Sequence, residues 1–311
     1  MTEVIKTISL TKQYGEFTAV DKLDLSIEQG EVFGFLGPNG AGKTTTILML
    51  LGLTSPTNGS ATIYGYDCTR NPLSVKRITG YLPENVGFYG ELSAEDNLRY
   101  TASLNKIDGE ESRQRIKQVL EDVGLIERAK QPVRQYSRGM RQRLGIADVL
   151  LKRPKVVILD EPTQGIDPAS VPELLEIIRK MSQEHKITVV LSSHQLHYVQ
   201  RICSRVAIMS KGKAVIQGNV DELSQKVMGG EDIVVDLEVE KLTPQITNSL
   251  SALSGVTKVT SNGNMITVEC SREVKKELAS SVISNAGTVL TLRSADSVLE
   301  EIYLRYFSGE R

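Results

Sequence analysis

Residues Gly37 to Thr45 read Gly-Pro-Asn-Gly-Ala-Gly-Lys-Thr-Thr, matching the spacing Gly-x-x-x-x-Gly-Lys-[Ser/Thr] from Gly37 through Thr44. Glycine at these spacings lets the backbone wrap closely round an anion, so that successive N–H groups point inward at phosphate oxygens. Gly37, Pro38, Asn39, Gly40, Ala41, Gly42, Lys43, Thr44 and Thr45 are therefore the candidate phosphate cradle. Lys43 supplies a point charge for the β/γ-phosphates, and the Thr44 hydroxyl is a magnesium ligand. A second element, Val156 to Pro162, reads Val-Val-Ile-Leu-Asp-Glu-Pro, an apolar run ending in two carboxylates. Asp160 at its end can hold Mg²⁺, usually through water. Glu161 would point to where a nucleophilic water must sit, and can orient or deprotonate it.

These residues act only if the chain places them. Glu31 to Leu36 reads as a short buried strand leading into the glycine loop, with an apolar helix over Thr44 to Leu53 behind it. That helix aims its N-terminus at the same charge. Lys155 to Leu159 and Ile187 to Leu191 are continuous apolar β-rich runs, as expected of parallel strands covered on both faces. A helix is expected from Asp167-Pro168 through Met181, with the Asp as N-cap and the Pro in the first turn. Strand, helix, strand at this spacing predicts a doubly wound α/β core. From Glu84 to Gln135 the pattern turns helical, with Ser93 to Asp96 as a capping box and Ile116, Val119, Leu120 and Val123 at helical spacing. This reads as a helical insertion into the core.

The last 81 residues have another rhythm. Ile233, Val235, Leu237 and Val239 alternate as a half-buried strand, and Ile246, Leu250 and Leu253 repeat at helical spacing. Two short strands are expected at Val256 to Thr260 and Met265 to Cys270. A helix through Val274, Leu278 and Val282, a strand over Thr288 to Leu292 and a capped helix from Ser297 complete the reading. The order β-α-β-β-α-β suggests a small ferredoxin-like α+β domain. Gly229-Gly230, after the helical-looking run Val220 to Val227, is the best linker candidate. The expected division is residues 1–228, with a helical subdomain at about 85–148, and residues 231–311.

Composition limits the function classes. The chain has 311 residues, 37 Lys+Arg against 38 Asp+Glu and a net charge of −1, so no global field draws it to nucleic acid or anionic membrane. Residues 231–311 hold 8 basic against 12 acidic residues, a poor phosphate-backbone binder, and residues 1–230 hold 29 against 26. The longest apolar run, Ile47 to Leu53, is far short of the roughly 18–20 residues that span a bilayer. No signal peptide is visible, and the chain reads as cytoplasmic. Cys68, Cys203 and Cys270 show no disulfide or zinc spacing.

A phosphate loop alone leaves kinases, GTPases and many ATPases open. Tyr136 to Ala147 (Tyr-Ser-Arg-Gly-Met-Arg-Gln-Arg-Leu-Gly-Ile-Ala) narrows the choice. Through it, the first 220 residues or so resemble the ATP-binding subunit of an ABC transporter, with Ser137 and Gly139 at the Ser-x-Gly positions of the family's signature. The resemblance implies ATP and Mg²⁺ as cofactors, with Lys43, Glu161 and His194 catalytic and Thr44, Glu84 and Asp160 around the metal. Tyr14 resembles the aromatic residue that stacks on adenine. Gly165-Ile166-Asp167 looks like the loop that crosses to the partner subunit, and His194 like the histidine at the γ-phosphate. In the family two subunits pair head to tail, each signature covering the ATP held by the other's loop. The resemblance thus implies a homodimer or sibling heterodimer sandwiching two ATP, an integral membrane permease as separate partner, and no nucleic acid.

Two departures from the family pattern stand out. Glu84 occupies the place of the usual glutamine, and Arg138 stands where glycine is common; its charge could serve a phosphate or face solvent. The segment Tyr81-Leu82-Pro83-Glu84, the signature and the appended domain look most like the ATPases of multidrug, antibiotic, lipid or polysaccharide exporters, the daunorubicin-resistance type. Asn85 to Gln135 resembles the coupling region, with Phe88, Tyr89 and Leu92 as groove residues or as ordinary core. A soluble relative working on ribosomes or DNA is the alternative, and a non-catalytic nucleotide-gated regulator a third; intact Lys43, Asp160, Glu161 and His194 argue against the third.

Overall fold

The computed structural model describes residues 2–220, 222–223, 233–270, 274–285 and 287–294. The chain forms two compact units, residues 1–219 and 220–311.

In the first unit the apolar runs form a six-stranded sheet. Its strands are β3 (Val32–Leu36), β6 (Thr79–Leu82), β7 (Val156–Asp160), β8 (Thr188–Ser193), β9 (Arg205–Ser210) and β10 (Lys213–Asn219). Their order is β10-β9-β3-β8-β7-β6, parallel except for β10, which pairs antiparallel with β9. Every residue of β3, β7 and β8 is buried, which is why these strands read as unbroken apolar runs. Register sets Leu36 opposite Ser193 and Asp160 opposite Ser192, so the three central strands finish side by side. The residues that could do chemistry follow those ends.

A second, antiparallel sheet has the order β2-β1-β4-β5, built from β1 (Glu3–Tyr14), β2 (Phe17–Glu28), β4 (Asn58–Ile63) and β5 (Tyr66–Asp67). Between the sheets lies α1 (Lys43–Leu50), whose Ile47, Met49 and Leu50 share a core with Ile5, Leu10, Leu23 and Ile27 and with Phe33, Phe35, Ile158 and Val190. That helix therefore has apolar partners on more than one face and is anchored at the base of the glycine loop.

The region from Glu84 to Gln135 is less helical than its periodicity suggests. After α2 (Pro72–Ile78), which precedes β6, its α-helices are α3 (Ala94–Leu104) and α4 (Gly109–Asp122), with short 3₁₀ turns at Ile126–Arg128 and Val133–Gln135. The expected cap is present, since Ser93 accepts a hydrogen bond from the Asp96 N–H. The helix expected from Asp167 starts later, as α6 (Val171–Gln183). Asp167 to Ser170 instead closes a turn, with the Ser170 N–H donating to the Asp167 carbonyl at 2.9 Å, and Pro172 takes the first-turn position assigned to Pro168.

In the second unit, strands Ile233–Val239, Val256–Asn262, Met265–Cys270 and Val289–Ser294 form an antiparallel sheet, with helices Pro244–Ser251 and Lys275–Ser284 between them. Taken in chain order, the sheet runs second-third-first-fourth, the split β-α-β topology. Val235, Leu237 and Val239 pack with Ile246, Leu250, Leu278 and Val282 in a core of its own. The Gly229-Gly230 linker and the helix expected from Ser297 lie outside the described residues. Cys68, Cys203 and Cys270 are all buried, and among the described residues no helix is long and apolar enough to cross a membrane.

Candidate functional site

The glycine loop begins where β3 ends. Gly37 has φ 147°, and a Cβ there would lie 2.3 Å from the Met209 carbonyl oxygen; at Gly42, φ 102°, it would lie 2.5 Å from that of Ala19. Backbone packs where side chains would be, so only glycine can build this turn. The loop is tied down by the Gly212 N–H donating to the Ala41 carbonyl at 3.1 Å. Pro38 to Thr45 wall a cleft of about 250 Å³ together with Phe17, Ala19, Glu84, Glu161 and Gln164. A larger cleft of about 590 Å³ between Leu73, Arg77, Arg115 and Lys152 holds none of these groups. Convergent chemistry, not volume, marks the site.

At the floor of the cleft Lys43, although 95% buried, keeps its charge partnered. Its Nζ donates to the carbonyls of Gly37 at 2.7 Å and Pro38 at 3.3 Å, and sits 3.2 Å from Glu161 Oε1. That oxygen is buried and has no aligned hydrogen bond, so the ammonium is its compensation. The other carboxylate oxygen, Oε2, lies 2.9 Å from His194 Nδ1. An ionised carboxylate only accepts, which puts the shared proton on the imidazole nitrogen. Lys43, Glu161 and His194, widely separated in sequence, thus form one continuous polar chain.

The backbone that carries Glu161 is under strain. Its φ is 49°, a left-handed conformation uncommon outside glycine and a mark of functional sites. The neighbouring strand holds it there: Ser192 Oγ accepts from the Glu161 N–H at 2.9 Å and donates to Asp160 Oδ1 at 2.5 Å. Thr44 Oγ1 donates to Asp160 Oδ2 at 3.0 Å. A hydroxyl and a carboxylate in contact, with Glu84 on the same cleft, are the hard oxygen donors that Mg²⁺ takes. Burial, with the negative charges of Asp160 and Glu84, pushes the Tyr81 hydroxyl up to about 12, which places that ring in the field of the same carboxylates.

The other expected residues divide. Glu84 is exposed on the cleft, as anticipated. Tyr14 is half-exposed at the β1–β2 hairpin under the Lys12 ammonium, and it is its cross-strand neighbour Phe17 that lines the cleft. Ser137 and Gly139 are not among the cleft residues. They open α5 (Arg138–Leu150), where Ser137 caps by accepting from the Met140 N–H, and Gly139 faces Ile166 and Ser170. Phe17, Gln164 and Ser192 were not foreseen. Ser192 follows directly on the apolar run Ile187 to Leu191, and no periodicity signals which serine will face a neighbouring strand's carboxylate.

A buried cation in a glycine cradle, a strand-end Asp beside a threonine hydroxyl, and a Glu–His pair above them define a phosphate-loop nucleotide-binding site. Comparison with known proteins takes this further. The profile of the ABC transporter family matches residues 20–164. The chain is 43% identical over 226 residues to the bacitracin transport ATP-binding protein BcrA of Bacillus licheniformis, covering 73% of each. It is 31% identical over 305 residues to the linearmycin resistance ATP-binding protein LnrL of Bacillus subtilis (strain 168), covering 97% of each. Among solved structures, the dimeric bacterial ABC transporter cassette MJ0796 superposes with a TM-score of 0.62 at 26% identity, over 69% of this chain and 98% of that one. The chain belongs to the ATP-binding proteins of ABC transporters, and is an ATPase.

Proposed function

We propose that this chain is the cytoplasmic subunit that energises an exporter, hydrolysing ATP to drive a solute through a separate membrane permease. Support comes from the unbroken contact Lys43–Glu161–His194 at the mouth of the glycine loop, and from the transport and resistance proteins that resemble the chain over most of its length. Residues 1–228 carry the ATP chemistry. The C-terminal domain, residues 231–311, has no paired catalytic groups in its sequence and would act on dimerisation or basal turnover.

The site residues act as follows. Gly37 to Thr45 hold the phosphates through backbone N–H groups. Lys43 neutralises the γ-phosphate, and because its Nζ now compensates Glu161, an arriving phosphate competes for it and frees Oε1 to take a proton from water. His194 keeps the Glu161 carboxylate oriented through Nδ1, which leaves its other ring nitrogen to serve the γ-phosphate. Bound Mg²⁺ would supply charge neutralisation at the β/γ-oxygens. Thr44, Asp160 and Glu84 would hold it; Glu84 provides an oxygen but not the N–H that an amide would offer the attacking water. Phe17 on the cleft wall, with its cross-strand neighbour Tyr14 beside it, gives adenine an aromatic face.

One chain does not complete this site. Ser137 and Gly139 lie at an exposed helix start outside the cleft, which fits their covering the γ-phosphate of a second copy or a sibling. Exposed Tyr89, stacked edge-on against Tyr100 at 5.4 Å, and Leu92 offer the permease an apolar contact beside Phe88. Glu161→Gln leaves the loop intact and removes the base, so with saturating Mg-ATP it should accumulate as an ATP-filled dimer by size-exclusion chromatography with light scattering. A variant that stays monomeric, or hydrolyses ATP at the wild-type rate, would sink the proposal.

A further inference from the structure

Among the described residues, Arg138 is the one arginine of the signature segment with neither a hydrogen bond nor an ion pair. Arg141 donates to the Tyr136 carbonyl at 2.7 Å, and Arg143 pairs with Glu173 at 2.5 Å. Among the described residues no carboxylate pairs with Arg138. Its guanidinium lies instead across the bare Cα of Gly165: a Cβ built there would fall 2.7 Å from Cζ and Nη1 and 3.0 Å from Nε. Gly165 has φ 64°, a conformation that side chains rarely adopt, and a Cβ there would displace the exposed guanidinium from its place on the turn. A second contact joins the same two segments, since a Cβ on Gly139 would meet Ile166 at 3.4 Å and Ser170 at 3.6 Å.

The turn beneath Arg138 leads straight back to the base. The Gln164 N–H donates to the Glu161 carbonyl at 3.1 Å and the Ile166 N–H to that of Thr163 at 3.3 Å, while Thr163 Oγ1 donates to Gln195 Oε1 at 2.6 Å. Only three residues lie between the strained Glu161 and Gly165. A planar, weakly hydrated guanidinium suits a flat backbone surface better than an ammonium does.

We infer that Arg138 is a positioning residue for ATP hydrolysis: laid over Gly165, it holds the Gly165–Asp167 turn against the start of α5 and so steadies the backbone that presents Glu161. The inference rests on the ATPase reading above. It joins the signature and the turn into one body, so that whatever docks on Ser137 and Gly139 also bears on this chain's own base. It also accounts for arginine at a place where glycine is common in the family.

The test is a double-mutant cycle on the whole chain with Arg138→Ala, Gly165→Ala and both together, and Arg138→Lys beside them. In Mg-ATP hydrolysis, Arg138→Ala is expected to lower kcat roughly tenfold with KM for ATP little changed, and Arg138→Lys to recover little of the loss. Gly165→Ala pays for its left-handed φ in either background but meets the guanidinium only when Arg138 is present, so it should do less harm beside Arg138→Ala. Full activity in Arg138→Ala, complete rescue by Lys, or equal harm from Gly165→Ala in both backgrounds would overturn the inference; Lys rescue would assign the charge to a phosphate instead. Urea titration of the same four chains without nucleotide reads the contact independently of turnover, and additive shifts there would overturn it as well. If the wild-type chain were inert while the shifts stayed non-additive, the ATPase reading would fail and the contact would stand.

Discussion

The contact between Lys43 and Glu161 can be tested in the nucleotide-free chain by Lys43→Met, which keeps most of the length and removes the charge. Both side chains are almost wholly buried, at 5% and 7% exposure, and 3.2 Å apart. Removing one member of such a pair strands the other's charge, which costs about 3–5 kcal/mol. Here His194 still engages Oε2 at 2.9 Å, so the lower end, about 3 kcal/mol, is expected. With a urea slope of about 2–3 kcal/mol/M for a unit of this size, the midpoint should fall by about 1–1.5 M. The chain has no tryptophan, so far-UV circular dichroism is the suitable probe. Glu161→Gln added to Lys43→Met removes the stranded carboxylate and should recover about 2 kcal/mol. The reasoning is refuted if Lys43→Met lies within about 0.5 kcal/mol of wild type, or if the double variant loses the sum of the two single losses.

Three further outcomes follow from the same geometry. Ser192→Ala takes one partner from Asp160 and one from the Glu161 N–H, and should lower kcat about tenfold while nucleotide binding, measured by calorimetry, changes little. Gly37→Ala would drive a methyl into the Met209 carbonyl; loss of ATP binding and a lowered melting temperature are expected, and a soluble variant with wild-type affinity would contradict the close approach. Burial, reinforced by the charge of Asp67, pushes the Cys68 thiol up to about 12. The folded state then keeps this proton where the unfolded chain has lost it, so stability falls as pH rises from about 8.5 toward 12 and is unaffected by this group below that range. Cys68→Ala should flatten that slope, and Ellman's reagent should find the thiol only after unfolding.

The phosphate loop, the strand ending in Asp160-Glu161 and the alternating strands of the second unit were readable because each depends on local order. Glycine spacing forces a turn, unbroken apolar runs mean strands buried on both faces, and period-two alternation means one buried face. The antiparallel sheet was not read. In β1 and β2 burial follows a broken alternation, with register shifts at several points, so no clean period marks them. The helix placed at Asp167-Pro168 was misread for a related reason. Asp followed by Pro resembles a helix start, but here the pair belongs to a tight turn closed by the Ser170 N–H on the Asp167 carbonyl.

By itself, then, the order of residues determined which groups could meet a phosphate, because cradle, cation and strand-end carboxylates are each written within a few consecutive positions. It also determined that two separate cores would form, since hydrophobic periodicity changes between the parts. Only the tertiary structure decided that Lys43, Glu161 and His194 touch, that Ser192 holds both acidic residues, and that Phe17 rather than Tyr14 lines the cleft. Those facts depend on strand order and register. β8 lies between β3 and β7, bringing residues more than 100 positions apart within hydrogen-bond reach, and no local signal along a chain encodes which strands will be neighbours.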